Sequence, residues 1–141
     1  IIKDETLSKE IRAMLTKEKE HYKKFKELLI TYRVRPTILD PFWKVGAFGL
    51  GVISATLGKK ATMACTEAVE EVIIDHYEKQ SKYLKEKNKS LSKITGKFAL
   101  DEKNHMHIAK EYDTGNDAFH KSFKAAVKIL SKIAIKVSEK I

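Results

Sequence analysis

Residues 16–25 read TKEKEHYKKF, a stretch crowded with lysine and glutamate that looks at first like ordinary solvated helix. Apolar residues on either side recur at Leu7, Ile11, Met14, Tyr22, Phe25, Leu28 and Tyr32, the spacing of an amphipathic helix. Carried through the middle, that stripe lands on Glu18 and His21. Two ionisable side chains therefore take core-facing positions, where an unpaired carboxylate is costly.

The pattern occurs twice. A later stripe of Leu91, Ile94, Phe98, Ile108 and Tyr112 has its missing members at Glu102 and His105, a second Glu-x-x-His. With thirteen glutamates and five histidines in 141 residues, about half a match arises by chance, so the motif alone says little. Its weight comes from interrupting a hydrophobic stripe both times. Residues three apart lie side by side on a helix, so a carboxylate oxygen and an imidazole nitrogen can reach one ion. Two such helices facing each other give one glutamate and one histidine to each of two metals. A bridging carboxylate from each of two further helices completes a ferritin-like site.

One further carboxylate is at hand in MACTEAVEEVIIDHY, residues 63–77. Glu70 shares a face with Met63, Thr66, Ile73 and Tyr77, and reads as a bridge. Glu67 lies one turn earlier on nearly the same side, and Glu71 lies closer to a solvent edge. Tyr77 and its neighbour His76 are candidate catalytic groups, to bind substrate or move protons, or else hydrogen-bonded core residues. Asp101 is either a carboxylate behind a ligating histidine or a solvent-facing one. His107 and His120 receive no role.

The chain has the length of one domain with a real core. Charged residues make up 33% and hydrophobic residues 43%, which excludes a disordered tail. Two prolines and six glycines leave room for long helices. We read five: about Thr6 to Arg33, Asp40 to Gly58, Lys60 to Lys87, Ser90 to Gly115, and Asn116 or Asp117 to the C-terminus. Asp40 is expected to cap the second, with Pro41 at its first helical position. Short connections imply an antiparallel bundle, hence an all-α fold in a single domain, 1–141.

The second helix, FWKVGAFGLGVISATL, carries one charge, Lys44, and falls short of a membrane span. It is either a buried bundle helix or one lying in the membrane interface with Trp43 at headgroup level. Its GAFGLG follows no strand and so is no phosphate loop. In the fifth helix, Phe119, Phe123, Val127, Leu130, Ala134 and Val137 oppose Lys121, Lys124, Lys128, Lys132, Lys136 and Lys140. That is a solvated lysine face or an attraction to anionic lipid. The net charge of +9 asks for an anionic partner, and a single cysteine, Cys65, points to a reducing compartment.

RVRPTILDPFWKVGAFGLG, ACTEAVEEVIIDHY and the two Glu-x-x-His motifs, in this order, resemble the demethoxyubiquinone hydroxylase family of ubiquinone biosynthesis over nearly the whole chain. The resemblance implies a carboxylate-bridged di-iron monooxygenase that hydroxylates the ring of a demethoxyubiquinol with dioxygen. It implies two iron ions, with Glu18, His21, Glu70, Glu102 and His105 as ligands. It also implies a polyprenyl benzoquinol substrate and a peripheral place on the inner membrane, on the cytoplasmic face in bacteria or the matrix face in mitochondria. A homodimer or a larger ubiquinone-biosynthesis assembly is compatible with it. The family carries a further N-terminal helix with a glutamate in a Gly-Glu motif, which Asp4, Glu5 and Glu10 do not match, so a longer native protein is expected, the alternative being a chain inactive for want of that ligand.

Two other readings stand beside this one. A ferritin-like iron store or peroxide scavenger shares the ligands but needs no membrane-seeking helix. A basic helical module for nucleic acid explains the charge but not the buried motifs, and has no aromatic and basic stacking surface.

Overall fold

Three of the helices begin where a short polar side chain takes an otherwise unpaired N–H. Asp4 accepts from Leu7 at 3.0 Å, Asn88 from Leu91 at 3.0 Å, and Asp117 from His120 at 2.8 Å. In the computed structural model, which describes residues 4–113 and 115–141, these caps open α1 (Glu5–Thr31), α4 (Lys89–Tyr112) and α5 (Ala118–Ser138). Between them lie α2 (Asp40–Thr56) and α3 (Lys59–Leu84), and no strand occurs among the described residues. The all-α expectation holds, with each boundary within a few residues.

The start of α2 differs from expectation. Leu39 is the capping residue and makes no side-chain cap, while Asp40 is already helical. Its carboxylate pairs with Lys44 one turn on, at 2.5 Å. Between α2 and α3 the chain turns on Gly58, whose φ of +103° would strain any side chain.

Helix α3 is the centre of the bundle, packing chiefly on α4 and also on α5 and α2, while α1 lies against α4. The core accordingly divides across α3. On one side Leu7, Met63 and Ala109 join α1, α3 and α4; on the other Cys65, Ala68 and Val127 join α3 and α5, with Leu50 of α2 against them. Fully burying a side chain such as Leu7 or Val127 contributes about 1.5–3 kcal/mol.

The stripe of α1 is narrower than the sequence suggests. Leu7, Met14 and His21 are buried, whereas Tyr22 and Tyr32 are exposed. A seven-residue step turns a helix by about 20° from its start, but each four-residue step from Met14 through Glu18 to Tyr22 adds about 40°. Tyr22 thus leaves the α4-facing side, and its ring takes the ammonium groups of Lys26 and Lys44 instead.

Helix α2 is not a buried bundle helix. Only Ser54 is buried in it, and Phe42, Val45 and Phe48 are each two-thirds exposed or more, at 67%, 73% and 75%. Trp43 is tied down, its indole N–H donating to Ser138 Oγ of α5 at 2.7 Å. No described helix is long and apolar enough to cross a membrane. On α5 the lysine face is only partly free. Lys124 pairs with Glu67 at 2.8 Å and Asp113 at 2.6 Å, and Lys128 pairs with Glu71 at 2.6 Å.

Candidate metal centre

Four glutamate and histidine side chains from three helices converge in the interior. One ligand atom each from Glu18 (α1), Glu70 (α3), Glu102 and His105 (α4) lies within 4.8 Å of the others. His21 of α1 flanks them. Helical spacing explains the grouping: Glu18 with His21 and Glu102 with His105 are each three apart on one face.

Glu102 sits at the middle of the site. Its Oε1 is 3.0 Å from His21 Nδ1 and its Oε2 is 2.9 Å from His105 Nδ1. Glu102, rather than Glu70, is therefore the carboxylate that spans both histidines. The Glu70 carboxylate stands to one side, 3.8 Å from His105 Nδ1, and Glu18 approaches the same nitrogen at 3.4 Å. Glu102, His21, His105 and Glu70 are buried, with at most 9% of any residue exposed. Glu18 differs from the sequence expectation of a core position. Its side chain is 49% exposed, because it lies on the part of α1 that turns away from α4.

Charge strains this cluster. The Glu102, Glu18 and Glu70 carboxylates push the His105 imidazole up to about 11. Burial, reinforced by the negative charge of Glu70, raises the Glu102 carboxyl above its ordinary value against the pull of His105. In the absence of a metal, the site therefore keeps a proton where three carboxylates meet.

The cluster fits a metal better than a hydrogen-bonded core. His21 Nδ1, His105 Nδ1, Glu70 Oε2 and Glu102 Oε2 are buried and have no aligned hydrogen-bond partner. Short separations without donor–acceptor alignment are what ligands of a common cation show, and such groups left unpaired are costly. Asp101 completes the argument. Its Oδ2 is 2.9 Å from His21 Nε2 and can only accept, so the proton sits on Nε2 and the Nδ1 lone pair faces Glu102. The solvent-facing reading of Asp101 is set aside. Three carboxylates and two imidazoles suit hard or borderline divalent ions such as iron. Their three negative charges balance all but one of the four positive charges of two such ions.

Aromatic rings wall one side. Phe98 lies 4.1 Å from the His21 ring, 5.2 Å from Phe25 and 5.8 Å from Tyr77 by centroid. Burial first, then the charges of Glu102, Glu18 and Glu70, drive the Tyr77 hydroxyl far above its usual value, so it stays protonated. His76 is not brought to the carboxylates. Its Nδ1 faces Glu139, the residue just after α5, at 3.9 Å. Glu67 and Glu71 are taken by the α5 lysines, leaving Glu70 as the α3 member. His107 pairs with Glu111 on the surface, and the half-buried His120 pairs with Asp117. Sequence reasoning gave no role to the Phe25 and Phe98 wall, although Phe98 stands one turn before Glu102 on the same stripe.

A family model described as "Ubiquinone biosynthesis protein COQ7" matches residues 1–138. The chain is 46% identical over 134 residues to a Dictyostelium discoideum protein named NADPH-dependent 3-demethoxyubiquinone 3-hydroxylase, mitochondrial, covering 93% of this chain and 62% of that one. It is 40% identical over 135 residues to the Homo sapiens protein of the same name, with 93% and 62% covered. To the 3-demethoxyubiquinol 3-hydroxylase of Rhodospirillum rubrum it is 37% identical over 131 residues, again with 93% and 62% covered. The chain thus spans 62% of the length of each of these relatives.

Proposed function

The chain belongs to the COQ7 family of ubiquinone biosynthesis proteins, and from that premise we propose that it carries the di-iron site of a demethoxyubiquinol hydroxylase. The observation that carries the reading is Glu102, buried, with one oxygen against each of two histidines. Glu18 and His21 would hold one iron, Glu102 and His105 the other, with Glu70 beside them and Glu102 between. When bound, ferrous iron supplies electrons to dioxygen and activates it.

The protein's own groups do the rest. Asp101 fixes the His21 tautomer, and Phe25 and Phe98 keep water from the site. Tyr77, held protonated and packed on Phe98 within the field of Glu102, Glu18 and Glu70, is the better of the two catalytic candidates, binding a quinol oxygen or passing a proton. His76 would act from farther out, toward α5. The overall reaction takes a ring C–H, dioxygen, two electrons and two protons to a ring C–OH and water. Relatives are named NADPH-dependent, and we take the electron pair to come from that reduced nucleotide. The substrate is a polyprenyl benzoquinol, and the exposed Phe42, Val45 and Phe48 of α2 are its route to the inner membrane, on the cytoplasmic or matrix face. The same face offers contact for a homodimer or a larger biosynthetic assembly.

The test is iron. The full-length protein, reconstituted anaerobically with ferrous ion, should hold two irons per chain and convert demethoxyubiquinol. Glu102→Ala should lose most of that iron and Glu18→Ala a substantial part. Full iron retention in both variants would refute the assignment.

A further inference from the structure

A second charged site lies outside the metal cluster, on the outer face of the α3–α4 hairpin. Between residues 80 and 97 the chain carries six lysines and a single carboxylate, Glu86. Four of the lysines, Lys82, Lys85, Lys89 and Lys93, line one cleft of about 810 Å³ together with Glu86, so cations outnumber it there. Among the described residues none of the four has a carboxylate oxygen within 4.0 Å. Lys103, at the far end of the cleft, is already neutralised by Glu78. By contrast, Lys124 and Lys128 of α5 are spent on intramolecular pairs.

The cleft has a built floor. Ser81 and Ser92 lock the two helices together, each hydroxyl donating to the other's backbone carbonyl at 2.8 Å. Gly96 lets the helices close up, since a Cβ there would stand 3.2 Å from Ser81 Oγ. The small residues recess the floor while the lysines rise at the rims. The first turn of α4 begins at Lys89, so its positive helix end adds to the same field. At the other end of the cleft Leu100, 62% exposed, offers an apolar wall beside Ala99.

This form suits a small polyanion bearing a ring rather than a lipid surface. A face that meets a bilayer intersperses its lysines with protruding apolar side chains, as α2 could supply, whereas Leu100 is the one exposed large hydrophobic residue among those lining the cleft. We propose that the cleft rimmed by Lys82, Lys85, Lys89 and Lys93 binds the phosphates of NADPH, with a ring of the nucleotide against Leu100. This rests on the reading that a reduced nicotinamide nucleotide supplies the electrons.

The experiment is equilibrium binding of NADPH to the purified full-length protein, followed by nicotinamide fluorescence. Lys89→Glu/Lys93→Glu should weaken binding tenfold or more, as expected for lost charge-assisted contacts. Both positions lie near the start of α4, where glutamate favours the helix, so folding is preserved. Lys132→Glu/Lys140→Glu on α5 makes the same charge change and should alter binding less than threefold. Equal weakening in both variants means a diffuse field only and overturns the site. Unchanged NADPH binding in the cleft variant also overturns it, as does loss of binding to phosphatidylserine vesicles without loss of NADPH. Iron content is measured on every sample. A parent that holds iron and hydroxylates but binds no NADPH refutes the cleft alone, whereas a parent without iron refutes the di-iron reading.

Discussion

Asp101→Ala is the sharpest probe of the metal centre, because it leaves every proposed ligand in place. The Asp101 carboxylate accepts from His21 Nε2 at 2.9 Å, with the two side chains 17% and 5% exposed. A hydrogen bond to a charged group at such a site contributes about 1.5–3 kcal/mol, or about 10- to 150-fold in affinity. Partial solvent access to Asp101 places the expected loss in the lower part of that range, about 10- to 30-fold. That agrees with the loss of about 10- to 100-fold typical of partners that orient a ligating histidine. The assay is an anaerobic ferrous titration against a competing chelator. Asp101→Asn keeps an acceptor for Nε2 but not the charge, so it should fall between parent and alanine variant. Asp75→Ala, which removes an exposed charge paired only with Lys79, serves as the control and should bind iron like the parent. If Asp101→Ala binds iron as tightly as Asp75→Ala, the argument for an oriented His21 fails.

Three further outcomes are expected. Phe98→Ala removes a ring that is 5% exposed and in contact with His21, Phe25 and Tyr77; urea denaturation should show a loss of about 3–5 kcal/mol, and a loss under 1 kcal/mol would sink the aromatic wall. Burial alone would raise the Asp113 carboxyl, but Lys124 and the Gly115 N–H outweigh it and hold it below its ordinary 3.8. The resulting stability is present above that value and is lost as pH falls through the lower folded-state value. Urea midpoints should therefore decline more steeply with acid in the parent than in Asp113→Asn, and parallel profiles would contradict this. Phe42→Ser/Phe48→Ser on α2 should reduce sedimentation with lipid vesicles at least severalfold while iron content stays unchanged; equal sedimentation would remove α2 as the membrane contact.

Much of the site could be read from the stripes, and the reason is local. A three-residue interval puts Glu18 beside His21, and Glu102 beside His105, in any helix. The apolar spacing around them shows that these intervals interrupt faces meant for packing. Glu70 was legible as the α3 member for the same reason. The errors arose where a second helix decides the environment. Tyr22 fits the α1 stripe as well as Phe25 does, yet Phe25 packs on Phe98 of α4 while Tyr22 is 48% exposed. Asp101 had two readings until His21 was found 2.9 Å away on another helix. His76 sits next to Tyr77 in sequence, but successive residues on a helix point about 100° apart, and His76 faces α5 instead.

The sequence by itself determined five helices and which residues share a face of each, although the caps at Asp4, Asn88 and Asp117 came from the structure. Those features depend on backbone geometry and hydrogen bonds within a few residues. The tertiary structure alone decided that Glu102 stands between both histidines and that Glu18 is half exposed. It also decided that α2 keeps its aromatic start outside the core, and that four lysines of the α3–α4 hairpin line one cleft. Periodicity says which side chains point the same way; only packing says what they meet there.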